Sequence, residues 1–170
     1  MRRKYRFALL AMTLAASNAG SATASDTATC PTGMICASDP GTIVAALQSA
    51  GYKPALTVDR DGDPEIDSLI KGRNVAILFY DCTEHKQCKA IQFRITFKTD
   101  PTFSLAVANK WNVEKRLFRA YVLDDGRMIF DHDVSTIGGL NKANFLDLIE
   151  WLGSTIGDVD QYLGALPAKS

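Results

Sequence analysis

The chain has 170 residues with 19 basic and 19 acidic side chains, but the charge is unevenly placed: Arg2, Arg3, Lys4 and Arg6 come first, and no acidic residue precedes Asp26. Beyond position 24 the balance is 15 basic against 19 acidic, a net of about −4, which disfavours nucleic acid and anionic membranes as partners because both require a positive field. About 145 residues remain there, enough for one domain with one core, and no internal repeat or low-complexity tract divides them.

The cationic start passes into an unbroken, weakly polar run from Phe7 to Ala16, and Ala22 and Ala24 then stand in the A-x-A arrangement that a signal peptidase accepts. A signal peptide is therefore predicted at residues 1–24, with cleavage between Ala24 and Ser25. The apolar run is about half the roughly 20 residues that a membrane span needs, so stable membrane insertion is not expected. Thr27, Ala28 and Thr29 lack the leucine-led pattern that marks a lipidated cysteine at position 30. The predicted location is periplasmic or secreted.

Residues 25–38 read as a short N-terminal segment whose first residues, Ser25 to Thr29, are expected to be disordered. Four cysteines, at 30, 36, 82 and 88, follow the leader, and an even number in an oxidising compartment predicts disulfides. Three pairings are possible, and both sequence-local pairs enclose five residues.

From Asp39 one domain is expected, ending near position 166. Asp39 and Pro40 start a helix, Ile43, Val44 and Leu47 give it an apolar side, and Gly51 stops it. Leu56 to Val58 and Pro64 to Ile70 form a hairpin around Arg60, Asp61 and Gly62, with Leu56 opposite Ile66. Residues 75–81 and 89–98 form a second. Placing Cys82 opposite Cys88 sets Phe79 against Ile91, Ile77 against Phe93 and Val75 against Ile95, so one register closes the disulfide and buries a continuous apolar face. The local pairs Cys30–Cys36 and Cys82–Cys88 are predicted on this basis. Asp100 and Pro101 open a second helix carrying Val107, Ala108 and Trp111. Phe118 to Leu123 and Arg127 to Val134 form a third hairpin around Asp124, Asp125 and Gly126, in which Val122 meets Met128, Ala120 meets Phe130, and Arg119 can pair with Asp131. Asn141 begins the last helix, with Phe145, Leu148, Ile149, Leu152, Ile156, Val159 and Leu163 on one stripe. Gly153, Gly157 and Gly164 weaken its second half. The fold class is α+β, a mostly antiparallel sheet with helices packed on it, in the order α-β-β-β-β-α-β-β-α.

Several pieces in this order and spacing resemble the YbjN family: Ala46 to Gly51, the turn Asp61 to Pro64, Ile91 to Phe93, Trp111 and Asn112, Arg119 to Tyr121, Asp124 to Gly126, Asp131 to Val134, Gly138 to Leu140, Phe145 and Trp151. The resemblance covers about residues 39 to 155. It implies a fold similar to that of type III secretion chaperones, a sensory transduction regulator, and no established catalytic residue. His132 departs from the pattern, which has an apolar residue there.

Other constellations carry weaker chemistry. Asp59, Asp61 and Asp63 open like a calcium loop, but Pro64 stands where such a loop requires Gly and Ile70 where it requires Glu, so a solvated turn is expected. Cys82, His85 and Cys88 are three zinc-type ligands on one short loop, which leaves a zinc site unfinished. Asp131 and Asp133 share a strand face at roughly 6.5–7 Å, a spacing that acid/base pairs use and that an exposed strand also produces. His132 is expected on the apolar face near Phe118. Trp111 is expected in the core, or, beside Lys110, Lys115 and Arg116, as an anchor for a partner. No catalytic residue, metal or cofactor is assigned. The functional expectation is an exported, non-enzymatic domain that binds a protein partner, chaperone-like or regulatory, with a homodimer suggested by fold analogy with the chaperones. The alternatives are a small envelope hydrolase using Asp131, Asp133 or His132, and a carrier of a small apolar ligand between the sheet and the last helix.

Overall fold

A computed structural model describes residues 29–167; the leader and its cleavage site at Ala24–Ser25 lie outside the described residues. In chain order the elements are α1 (Pro40–Ser49), β1 (Ala55–Val58), β2 (Pro64–Ile70), β3 (Arg73–Tyr80), β4 (Ala90–Phe97), α2 (Leu105–Glu114), β5 (Arg119–Val122), β6 (Met128–Ser135) and α3 (Lys142–Gly164). The six strands form one sheet in the order β1-β2-β3-β4-β6-β5, with each neighbouring pair antiparallel. This is the α+β order expected.

The registers follow from burial. Val75, Ile77 and Phe79 of β3 stand opposite Ile95, Phe93 and Ile91 of β4, all six buried, and a slip of one residue would turn the row of the slipped strand to the opposite face of the sheet. The middle hairpin closes through the tight Thr83–Lys86 turn, whose two backbone bonds are 2.7 and 2.9 Å, and the sulfurs of Cys82 and Cys88 lie at disulfide distance beyond it. The last hairpin has Val122 opposite Met128 and Ala120 opposite Phe130. Its turn needs glycine twice over. Gly126 has φ +81°, and a Cβ there would come within 2.7 Å of Thr99 Cγ2.

All three helices pack on the face formed by these apolar rows. Phe145, Ile149, Leu152, Ile156 and Val159 of α3 join Ile43 and Leu47 of α1, Trp111 of α2 and the strand residues in one cluster. As the apolar stripe predicts, α3 continues through its second half and runs unbroken through Gly153 and Gly157. Gly153 is buried under the stem of Lys71, which leaves little room for a side chain, and the burial of Ile156 and Val159 offsets the poor helix propensity beside them.

The start of α2 differs from the sequence expectation. Asp100 does not cap it: its carboxylate takes the backbone N–H and hydroxyl of Thr102, at 2.8 and 2.6 Å, in a separate turn. The helix begins four residues later, where Ser104 Oγ accepts from the N–H of Val107 at 3.3 Å. The N-terminal segment is tied into the domain. Ile35 and Leu140 exchange two backbone bonds of 2.9 Å, Ala37 N–H donates to Thr136 Oγ1 at 2.9 Å, and the Cys30 and Cys36 sulfurs lie at disulfide distance.

Candidate functional site on the open sheet face

The alternation that sends Ile91, Phe93 and Ile95 toward the helices sends Gln92, Arg94 and Thr96 to the opposite face, on which none of the three helices packs. Register then brings distant residues into line: Ala76, Arg94, Asp131 and Arg119 form one row across four strands, and Leu78, Gln92 and Asp133 the row above it.

These side chains form a connected network. Asp131 is only 1% exposed, and its two oxygens are shared among three donors: Arg119 Nε at 3.0 Å on Oδ1, and the Tyr121 hydroxyl at 2.8 Å and Arg94 Nη2 at 3.2 Å on Oδ2. Gln92, also buried, donates to Asp133 at 2.7 Å and accepts from Arg94 at 2.6 Å and from the Tyr80 hydroxyl at 3.4 Å. Two guanidinium groups thus enclose one buried carboxylate in charge-assisted hydrogen bonds. Asp131 in turn stabilises the Arg119 guanidinium and raises its proton affinity further. Burial pushes the Tyr121 hydroxyl above the usual tyrosine range, and its bond to Asp131 adds to the effect. Arg94 Nε is buried without a hydrogen-bond partner among the described residues.

A groove of about 570 Å³ runs diagonally over this network. Leu78, Thr96, Tyr121 and Ile129 line its course, the β1–β2 turn from Asp59 to Asp63 and Glu65 close one end, and Leu123 and Arg127 stand at the other. The acidic end is braced: Asp59 Oδ1 accepts the N–H groups of Asp61 and Asp63, each at 2.9 Å, while Asp63 meets His85 Nδ1 at 2.9 Å. Burial, with Asp67 and Asp59 nearby, raises the Glu65 carboxyl above its ordinary range. The groove therefore has apolar and aromatic surface along it, four carboxylates together with Arg60 at one end, and at the other Arg127, whose guanidinium is paired with Asp125 at 2.7 Å.

Asp131 and Asp133 share the open face as the strand pattern predicts, but Asp131 is enclosed rather than exposed, because Arg94, Arg119 and Tyr121 fold over it. His132 points through the sheet to the helix side, its ring 5.5 Å from that of Phe118, and burial lowers its proton affinity. The three residues of the hydrolase alternative, Asp131, Asp133 and His132, therefore do not converge. Trp111, considered as a partner anchor, is 0% exposed; its indole donates to the Phe118 carbonyl at 2.6 Å and its ring packs edge-on against Phe130 and Tyr162. The tryptophan at the surface is Trp151, 43% exposed, beside a smaller cleft of about 270 Å³ lined also by Lys115, Arg116 and Asp158. His85, considered as a zinc ligand with Cys82 and Cys88, turns to Asp63 instead. The sequence pattern assigned no role to Arg94, Gln92, Tyr80 or Tyr121, Gln92 and Tyr121 entering only within segments that resemble the family. The signal available for them was the alternation of β4 combined with a register that aligns Arg94 with Asp131.

The YbjN family, described as "putative bacterial sensory transduction regulator", matches residues 39–165. Among solved structures, the chain is similar to the crystal structure of YbjN, "a putative transcription regulator from E. coli", at 14% identity over 74% of this chain and 90% of that one, with a TM-score of 0.55. At that identity the likeness concerns the fold alone. No curated protein sequence matches the chain.

Proposed function

The chain belongs to the YbjN family, and we propose that it acts as an exported, non-enzymatic regulatory domain that binds an extended segment of a protein partner in the groove of its open sheet face. The observation that carries this reading is the pairing of the groove with the network beneath it. A sheet face left free by all three helices presents about 570 Å³ of concave surface, and its charged side chains are bonded to one another in fixed positions. Such a surface is preorganised for recognition. A general base needs a carboxylate free to take a proton, whereas Asp131 already accepts three donors and Asp133 accepts from Gln92.

The lining of the groove suggests its occupant: a short extended segment with an apolar centre and a basic residue toward the carboxylates of Asp59, Asp61, Asp63 and Glu65. Export is supported by the leader pattern and by two cysteine pairs at disulfide distance. Among the described residues no helix is long and apolar enough to cross a membrane.

The test compares two sets of variants in whatever phenotype deletion produces. Thr96→Arg and Leu123→Arg fill the groove and should abolish function while leaving the melting temperature near wild type. Asp133→Asn and His132→Gln should retain function. If the second pair abolishes function in well-folded protein and the first does not, the binding reading fails and a catalytic one replaces it.

A further inference from the structure

The two edges of the sheet are finished differently. Along β5 the outward peptide groups of Ala120 are taken by the side chain of Asn112 in α2, whose Oδ1 accepts from the Ala120 N–H at 2.7 Å and whose Nδ2 donates to the Ala120 carbonyl at 3.0 Å. Along β1 the opposite holds. The Asp59 N–H donates to the Asp63 carbonyl at 2.8 Å, which sets the alternation down the hairpin: Thr57 and Ala55 bond inward to β2, and the peptide groups of Leu56 and Val58 point away from the sheet. Pro64 stands opposite Val58, where this phase needs no N–H. Among the described residues no hydrogen bond reaches the outward groups of Leu56 and Val58. Every residue of β1 is exposed, and the side chains of Leu56 and Val58, on the face shared with Ile66, are 50% and 71% exposed.

We propose that β1 pairs antiparallel with β1 of a second copy of this chain, about a two-fold axis through Thr57, so that two sheets become one. In this register Leu56 stands opposite the partner's Val58 and exchanges both backbone bonds with it, and the axis repeats the exchange. Every outward group of Leu56 and Val58 is then satisfied. The same pairs bring apolar side chains together on one face, while Thr57 meets the partner's Thr57 on the other, a favourable cross-strand pair. Charge selects the direction. Antiparallel pairing carries Lys53, at the start of the strand, toward the partner's Asp59 and the partner's Asp61, at its end, whereas parallel pairing would set like charge beside like.

Self-complementarity in backbone, side chain and charge favours a second copy over an unrelated strand. Because Asn112 plugs Ala120 on the other edge, the pairing closes at two copies instead of running on into a fibre. The strand is short against the roughly 1,200 Å² of a stable interface, so the dimer depends on concentration. The interface meets the groove only at the β1–β2 turn, whose Asp59 and Asp61 close the groove's end; the backbone pairing of Leu56 and Val58 does not depend on the groove being occupied.

Sedimentation of the mature chain from micromolar to millimolar concentration tests the pairing, with melts to confirm folding. The wild type should move toward twice the monomer mass. Val58→Pro removes an outward donor that β2 does not use, and Leu56→Lys loads the apolar pair with charge; each should weaken association at least tenfold. Under mild oxidation Thr57→Cys, on the axis, should give a covalent dimer on a non-reducing gel, and Ala55→Cys should not. A chain that stays monomeric at millimolar concentration and is not linked through Thr57→Cys overturns the proposal. So does a dimer that Val58→Pro leaves unchanged.

Discussion

Asp131 organises the open face from within the sheet. Buried and surrounded by Arg94, Arg119 and Tyr121, its carboxylate fixes side chains that would otherwise be independent and solvated. Breaking a fully buried ion pair costs roughly 3–5 kcal/mol; here Arg119 is 60% exposed and can rehydrate, so Asp131→Asn should lower the stability measured by urea denaturation by about 2 kcal/mol. Asp133 is exposed, and Asp133→Asn should change it by less than about 0.5 kcal/mol. The Arg119–Asp131 pair was legible in the sequence because both residues lie in one hairpin. The role of Arg94 was not, since it depends on β4 lying beside β6, a contact across 37 residues that no local pattern encodes. His132 gives a prediction in pH. Burial, the dominant cause, lowers its proton affinity from the ordinary 6.5, against the opposing pull of Asp133 and then Asp131. The unfolded chain therefore binds the proton more readily: the contribution of neutral His132 is fully present above about pH 6.5 and is lost as pH falls through the folded value. The stability difference between wild type and His132→Gln should shrink as urea denaturation is repeated from about pH 7.5 down to about pH 5; a difference independent of pH would refute this.

Elements were legible where a register or a stripe constrained them from both sides. The β3–β4 hairpin is the clearest case, since the apolar pairs and the cysteines agree on one alignment. The start of α2 was misplaced because Asp followed by Pro signals either a helix or an isolated turn; here Asp100 closes the turn on Thr102, and Ser104 caps the helix. The β3–β4 loop also holds features that its sequence hides. Glu84 and His85 at its tip, with Asp81 and Gln87 beside them, all have positive φ, from 50° to 60°, a conformation that costs side-chain-bearing residues about 1 kcal/mol or more each. The Cys82 and Cys88 sulfurs at disulfide distance and the His85–Asp63 contact at 2.9 Å close the loop at its base and tip. Non-reducing peptide mapping should find Cys30 joined to Cys36 and Cys82 joined to Cys88, and replacing Cys82 and Cys88 together by Ser should cost about 2 kcal/mol. Cys36 joined to Cys82, or four free thiols, would contradict the assignment.

At the scale of the whole molecule, one amphipathic sheet has two different futures. Its apolar face is consumed by α1, α2 and α3, and its polar face remains available. The sequence showed the alternation in β4 but could not show that the polar side would be concave, because the groove arises from the braced β1–β2 turn at one end and the β5–β6 turn at the other. Export belongs to this scale too: intact mass of the chain recovered from cells should place its N-terminus at Ser25, and recovery of an uncleaved, membrane-embedded chain would remove the case for a periplasmic or secreted protein. The most direct test of the groove as the recognition surface is photo-crosslinking in living cells, with the reactive side chain placed at Thr96 or Leu123 in the groove and, as the control, at Val113, which is 86% exposed on α2. A discrete adduct from Thr96 and Leu123, absent from Val113 and lost when Leu78→Arg fills the groove in the same protein, is the predicted result; an adduct that forms only from Val113, or one that survives Leu78→Arg in folded protein, would contradict it.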